Sequence, residues 1–124
     1  MIFESRRTFL KWAVAAGTAS VPALPALAKP RRPLAIAPVT DGVALVSGAG
    51  GNVVLVTGPR GLVVIDSGDP LHGADLFALV RDYAGGKLPI ALLNTHWHWD
   101  HTGSNERFAR AGVPIIPAPA GTSR

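Results

Sequence analysis

Apolar and polar positions divide the chain beyond residue 40 into short runs separated by turns. Apolar runs occupy 43–46, 52–57 and 62–66, and the last two are rich in β-branched residues. These two are joined by Gly58-Pro59-Arg60-Gly61, a turn of hairpin length. Because the runs are continuously apolar and lack strict alternation, the pattern predicts short strands that are covered on both faces.

The hydrophobic period changes to that of a helix after the third run. Asp69 is suited to an N-cap, Pro70 to the first helical position, and Gly85-Gly86 to the end of the helix. Acidic residues lie on one side of this segment. The other side is apolar and consists of Gly73, Leu76, Phe77, Val80, Tyr83 and Ala84. The pattern therefore predicts an amphipathic helix.

A strand, a helix and a further strand complete the pattern. A buried strand is expected at 90–93 and another at 113–116. Between them, Thr102 or Ser104 could cap a second helix that runs through Ala111. Short strands followed by a β-α-β alternation predict an α/β layered domain. Open sheets of this kind tend to bind ligands at the carboxyl ends of their strands.

The first 28 residues have the features of an export signal. The stretch from Ser5 to Lys11 reads S-R-R-T-F-L-K and matches every specified position of the twin-arginine motif. A weakly apolar stretch with two prolines follows, and Ala26-Leu27-Ala28 is a small-x-small cleavage site. The prolines and the weak hydrophobicity argue against a stable membrane span. We therefore expect residues 1–28 to be a signal peptide read by the twin-arginine export machinery, and the mature protein to be periplasmic.

The segment after the signal peptide is rich in proline. Residues 29–38 read K-P-R-R-P-L-A-I-A-P, which cannot hold a regular element. We therefore interpret residues 29–40 as an extended leader and residues 41–124 as the α/β domain.

Composition and charge narrow the classes of function. The chain is 48% hydrophobic and 16% charged, which argues against disorder. It has no cysteine, so neither a disulfide framework nor a thiolate metal site is available within these residues. Of the net charge of +4, half arises near the export motif, and the rest is spread along the chain without a basic stripe. We therefore expect no nucleic-acid partner.

Residues that commonly bind metal are concentrated after the strand at 90–93. His96, His98, Asp100 and His101 lie within six residues. In an extended segment His96 and His98 point the same way and can share one cation. Asp100 and His101 come where the chain must turn toward a helix, and they can face a second cation. Imidazole and carboxylate without thiolate suit zinc, with iron or manganese as alternatives, whereas the flanking elements disfavour a disordered His-rich tract.

The stretch His96-Trp97-His98-Trp99-Asp100-His101 resembles the H-x-H-x-D-H signature of the metallo-β-lactamase superfamily. The order of hairpin, strand ending at Asp66, helix and motif strand also resembles that family. The resemblance implies the N-terminal part of an αβ/βα sandwich. It further implies that His96 and His98 bind a first zinc ion and that Asp100 and His101 bind a second. With a histidine at position 101, the motif resembles that of the two-metal hydrolases, namely the glyoxalase II type and one β-lactamase subclass.

The activity that the resemblance implies is hydrolysis of a small-molecule ester, thioester, amide or phosphoester by a metal-bound hydroxide. Asp100 would be the catalytic residue, holding the water and passing its proton to the leaving group. Asp66 would support the site without binding metal. An equal alternative is that its carboxylate only accepts hydrogen bonds from loop amides.

Other residues near the motif are assigned simpler roles. Trp97 and Trp99 are expected to pack beneath the loop, with an apolar wall at the substrate mouth as the alternative. His72 lies outside the motif and is expected to face solvent. Gly103 is expected to serve the turn into the second helix.

The ligands that this family places downstream are missing from the sequence. Its members carry a further histidine, a bridging aspartate and a last histidine, whereas no Asp, Glu, His or Cys follows Glu106. We therefore expect residues 41–124 to be an incomplete domain in a truncated chain that is inactive alone. One alternative is a non-catalytic periplasmic zinc-binding module or a half-domain completed by a partner. The other is a hydrolase-like protein that accompanies periplasmic quinoprotein dehydrogenases.

Overall fold

The structure, a computed structural model, describes residues 31–120 of the chain. In this part six strands form one sheet: β1 (Ala35–Thr40), β2 (Val43–Ala49), β3 (Gly51–Gly58), β4 (Gly61–Ile65), β5 (Ala91–Leu93) and β6 (Ile115–Ile116). A 3-10 turn at Pro70–His72 leads into helix α1 (Gly73–Tyr83), and helices α2 (Trp99–Thr102) and α3 (Asn105–Arg110) follow β5. The strands lie in chain order, with β1 to β4 antiparallel and β4, β5 and β6 parallel.

The predicted hairpin and the predicted β-α-β unit are both confirmed. Gly58 pairs with Gly61 where β3 turns into β4. The chain then crosses through α1 and returns as β5, parallel to β4, with Ile65 opposite Leu93. Asp69 caps the start of the crossover by accepting hydrogen bonds from the backbone amides of the 3-10 turn. This crossover brings the carboxyl ends of β4 and β5 side by side.

The core lies on one face of the sheet. Burial alternates along β2, β3 and β4, as the strand pleat requires. The buried side chains of these strands and β5 join those of α1 and α3 in one cluster that includes Val46, Val53, Leu55, Val64, Leu76, Val80, Leu92 and Phe108. On the opposite face Leu45, Val54 and Val63 are only half-buried. The expectation of strands covered on both faces is therefore wrong for the described residues, because the helices add their apolar side chains to one face.

Strand β1 corrects the prediction that residues 29–38 hold no regular element. Residues Ala35–Thr40 pair with β2, and Pro38 lies opposite Ala44. The register shifts between Pro38 and Thr40, which is how an edge strand accommodates a residue without an N–H. The signal peptide predicted at 1–28 lies outside the described residues.

The second predicted helix is divided into α2 and α3 at Gly103. A Cβ at Gly103 would lie 2.4 Å from Pro70 Cδ and 2.6 Å from the Trp99 carbonyl oxygen, so the chain passes too close to the first crossover for a side chain. Ser104 does not cap α3. Its hydroxyl donates to the Asp69 carbonyl (2.8 Å) and so links the second crossover, from β5 through α2 and α3 to β6, to the first crossover, from β4 through α1 to β5. Within residues 31–120, none of the helices has the length and apolarity needed to cross a membrane.

Candidate metal centre

The motif lies at the carboxyl edge that β4 and β5 share. Ile65 pairs with Leu93, so Asp66 and Asn94 leave the sheet next to each other. The Asp66 N–H donates to the Leu93 carbonyl (2.7 Å), and Asp66 adopts φ = 65°, a left-handed conformation that Asp tolerates better than most residues. The motif follows β5 directly, at the edge where the sequence pattern predicted a ligand site.

The carboxylate of Asp66 is buried and contacts both Thr95 and His101. Only 4% of Asp66 is exposed. Its Oδ1 accepts from the Thr95 N–H (2.8 Å), and its Oδ2 lies 2.8 Å from both Thr95 Oγ1 and His101 Nδ1. Asp66 thus satisfies a loop amide and orients a motif histidine at the same time. With both oxygens hydrogen-bonded, it is suited to supporting a metal site and less suited to binding the ion itself.

His101 presents one nitrogen to the open edge. An ionised carboxylate only accepts hydrogen bonds, so the contact with Asp66 assigns the proton of neutral His101 to Nδ1 and leaves a lone pair on Nε2. That Nε2 lies 3.4 Å from Asp100 Oδ2, and the two side chains are 22% and 36% exposed. Two ligands that are each about 2.1 Å from a tetrahedral ion lie about 3.4 Å apart, so this pair fits one edge of a zinc site.

Three imidazole rings are grouped at this edge. The His96 ring centroid lies 4.7 Å from that of His98, with the rings perpendicular, and 4.1 Å from that of His101. Ligand atoms of Asp66, His96 and His101 lie within 4.8 Å of one another. Asp66 is buried and both of its oxygens already accept hydrogen bonds, so the imidazoles and the more exposed Asp100 are the better candidates to bind a cation. The structure thus places His96 beside His98 and His101, and Asp100 beside His101. That these four residues bind metal, and how they divide between two ions, stays a prediction.

A polar network beneath the motif holds the backbone of His101. Its carbonyl oxygen accepts from the Ser67 N–H (2.8 Å) and from Asn94 Nδ2 (3.3 Å). Asn94 and Asn105 exchange side-chain hydrogen bonds, and Ser67 Oγ donates to Asn105 Oδ1 (2.8 Å). Sequence reasoning missed these three residues. In the sequence they stand out only as polar residues just after β4, just after β5 and at the start of a helix. This pattern does not reveal which groups they form hydrogen bonds with.

The tip of the β2–β3 hairpin lies against the motif. A Cβ at Gly51 would lie 2.2 Å from the Asp100 carbonyl oxygen and 3.4 Å from His101 Nε2. A Cβ at Gly50 would lie 2.3 Å from Asp69 Oδ2. The two glycines therefore allow the hairpin backbone to approach both crossovers, a contact that the hydrophobic pattern did not predict.

Comparisons with known proteins identify the family of the chain. The sequence profile described as "Metallo-beta-lactamase superfamily" matches residues 46–123. The chain belongs to this superfamily. A search of curated proteins finds no match.

Solved metallo-β-lactamases share the fold. BJP-1, a subclass B3 enzyme of Bradyrhizobium japonicum, is 24% identical, with a TM-score of 0.60 over 68% of this chain and 33% of its own. MIM-1 from Novosphingobium pentaromativorans is 30% identical, with a TM-score of 0.59 over 68% of this chain and 32% of its own. The chain thus spans about a third of the length of these structures, and its sheet and helices match the N-terminal part of the αβ/βα fold.

Two expectations about residues near the superfamily motif are wrong. Trp97 and Trp99 are 80% and 67% exposed and do not pack beneath the loop. They alternate along the chain with His96, His98 and Asp100, and the Trp97 ring lies 4.7 Å from that of His98. The His72 side chain is 11% exposed, and its Nδ1 lies 2.8 Å from Asp69 Oδ1, because the 3-10 turn brings residues three apart together.

Proposed function

We propose that the protein is an exported, zinc-dependent hydrolase whose residues His96, His98, Asp100 and His101 hold two metal ions. The observation that carries the proposal is the 3.4 Å separation of Asp100 Oδ2 and His101 Nε2, beside two further imidazole rings at an exposed edge. Imidazole nitrogen and carboxylate oxygen are ligands that zinc takes, and iron or manganese would also accept them.

Asp100 is the proposed catalytic residue. When bound, the metal ions supply hydroxide near neutral pH and polarise the substrate oxygen. The Asp100 side chain is 36% exposed, so its carboxylate can accept a hydrogen bond from a water at this edge, take up the proton that this water releases as it attacks, and deliver that proton to the leaving group. Asp66 keeps the His101 ring in the orientation that leaves Nε2 beside Asp100.

The substrate is a small molecule with a hydrolysable amide, ester, thioester or phosphoester bond. Because the similar solved structures are named as metallo-β-lactamases, the β-lactam amide is the first bond to test. The exposed indoles of Trp97 and Trp99 lie beside the ligands and are suited to contact an apolar part of the substrate.

The decisive test of this function uses the gene that encodes the chain, read past the codon for Arg124. We expect the frame to supply a histidine, an aspartate and a last histidine, and its zinc-loaded product to hydrolyse a β-lactam, a thioester or a phosphodiester. Zinc binding without turnover of any of these would favour the non-catalytic zinc-binding module. A product that binds no zinc would contradict both functions.

The 124-residue chain by itself is expected to bind zinc weakly and to show no turnover. A catalytic zinc site takes three protein ligands and keeps one position open, whereas here each ion would receive two. Isothermal titration with zinc and an assay with a chromogenic β-lactam check this expectation. Two tightly bound zinc ions per chain, or measurable hydrolysis, would show that the ligands within this segment suffice.

Export is expected to depend on the arginine pair of the N-terminal motif. Replacement of Arg6 and Arg7 by lysine keeps the positive charge but removes the pair that the twin-arginine machinery reads. The precursor should therefore remain in the cytoplasm, as measured by cell fractionation and immunoblotting. The matched control replaces Arg31 and Arg32, beyond the cleavage site, by lysine and should leave export unchanged. Equal periplasmic amounts of both variants would contradict the export proposal.

A further inference from the structure

Thr95 links the buried carboxylate of Asp66 to the first motif histidine. Its Oγ1 lies 2.8 Å from Asp66 Oδ2 and 2.8 Å from His96 Nδ1. The same Asp66 oxygen lies 2.8 Å from His101 Nδ1. One carboxylate is thus connected to two of the predicted ligands, directly to His101 and through a hydroxyl to His96.

The protons in this chain of contacts can be assigned from donor and acceptor capacity. The Thr95 hydroxyl has one proton, and the ionised Asp66 carboxylate has none to give. A separation of 2.8 Å between their oxygens is a hydrogen bond only if the Thr95 proton points at Asp66. The Thr95 oxygen can then only accept from His96, which requires a proton on His96 Nδ1. In neutral His96 the lone pair therefore resides on Nε2.

We infer that Thr95 is a positioning residue that fixes His96 in its Nδ1–H tautomer and so presents the Nε2 lone pair to the metal. The inference rests on the proposed metal-dependent function, because it names the nitrogen that the ion would use. Asp66 sets the same tautomer in His101 without an intermediary. A neutral histidine lacking such a partner exchanges between two tautomers, and the partner of one ring nitrogen decides which one prevails. Partners of this kind typically change metal affinity by about 10–100-fold.

Substitution of Thr95 by valine is the sharpest test, because valine fills the space of the hydroxyl. Thr95 is exposed, so a smaller residue would admit a water that could restore the link. Thr95→Ser retains the hydroxyl and is the conservative variant. Thr102→Val is the matched control. Among residues 31–120, Thr102 Oγ1 bonds only the carbonyls of Trp97 and His98, so its loss removes a contact of the same loop that does not involve His96.

The measurement is the ¹⁵N and ¹H spectrum of the histidine rings in the metal-free 124-residue chain, at a pH where the rings are neutral. We expect the wild type, Thr95→Ser and Thr102→Val to show His96 protonated at Nδ1. Thr95→Val should show a mixture with Nε2–H, while His101 keeps its Nδ1 proton. Zinc titration of the same samples should give an affinity about tenfold lower for Thr95→Val alone.

The outcomes separate this inference from the proposed function. A wild-type His96 protonated at Nε2 would overturn the inference, as would an unchanged tautomer in Thr95→Val. Equal effects of Thr95→Val and Thr102→Val, or a Thr95→Ser variant that behaves like Thr95→Val, would reduce Thr95 to a general loop contact and overturn it too. A wild-type chain with the expected tautomer, together with a product of the frame read past Arg124 that binds no zinc, would contradict the proposed function and leave the tautomer assignment intact.

Discussion

In the zinc-loaded product of the frame read past Arg124, Asp100→Asn is expected to lower the turnover of the proposed hydrolase by about 10²–10⁴-fold, the usual contribution of a general acid–base residue. The amide keeps the shape of the carboxylate but can neither take up a proton nor offset the charge of a second metal ion. The carboxylate it replaces lies 3.4 Å from His101 Nε2 and is 36% exposed, so the change acts at the open edge and not in the core. The kcat for the best substrate and the zinc content per chain are the quantities to measure.

Zinc content distinguishes the two contributions of Asp100. We expect the Asp100→Asn variant to retain the first ion, held by His96 and His98, and to lose the second. Asp75→Asn, on the exposed side of α1, removes the same charge away from the motif and should leave kcat unchanged. An Asp100→Asn variant whose activity stays within a few-fold of the parent would remove Asp100 from the mechanism.

Gly51→Ala is expected to destabilise the chain by about 1–3 kcal/mol, as overpacking of a close contact does. The new methyl group would lie 2.2 Å from the Asp100 carbonyl oxygen and 3.1 Å from its carbon, and these are backbone atoms that cannot rotate away. Either the β2–β3 hairpin or the turn that carries Asp100 and His101 must move. We therefore expect a lower free energy of unfolding in urea together with weaker zinc binding.

Gly58→Ala provides the matched control at the other end of the same strand. A Cβ there meets only the Gly61 carbonyl oxygen, at 3.8 Å, which is an ordinary contact. Its effect on stability and on zinc binding should be small. Equal destabilisation by the two substitutions would show that loss of glycine in β3, and not contact with the motif, governs the result.

The sequence predicted the parts of the fold that local patterns encode. The hairpin at Gly58–Gly61, the crossover helix that starts after Asp69 and the strand before the motif follow from turn chemistry, capping and hydrophobic period, all of which act between near neighbours. Strand β1 was missed because prolines suppress a local strand signal, whereas pairing with β2 at a sheet edge overrides it. The exposure of Trp97 and Trp99 was also missed, since the hydrophobicity of a side chain does not state which way a loop turns it.

For the site, the sequence by itself determined which ligand types are present and that they follow a buried strand. Only the tertiary structure decided which groups support them. Asp66 and Thr95 are 29 positions apart, and Asp66 and His101 are 35 apart, so their hydrogen bonds exist only because β5 pairs with β4 in one register. A shift of that register by one residue would turn every side chain of β5 to the other face and separate these partners. Metal-ligand chemistry is thus a property of residue type, whereas the protonation and orientation of each ligand depend on contacts made across the sheet.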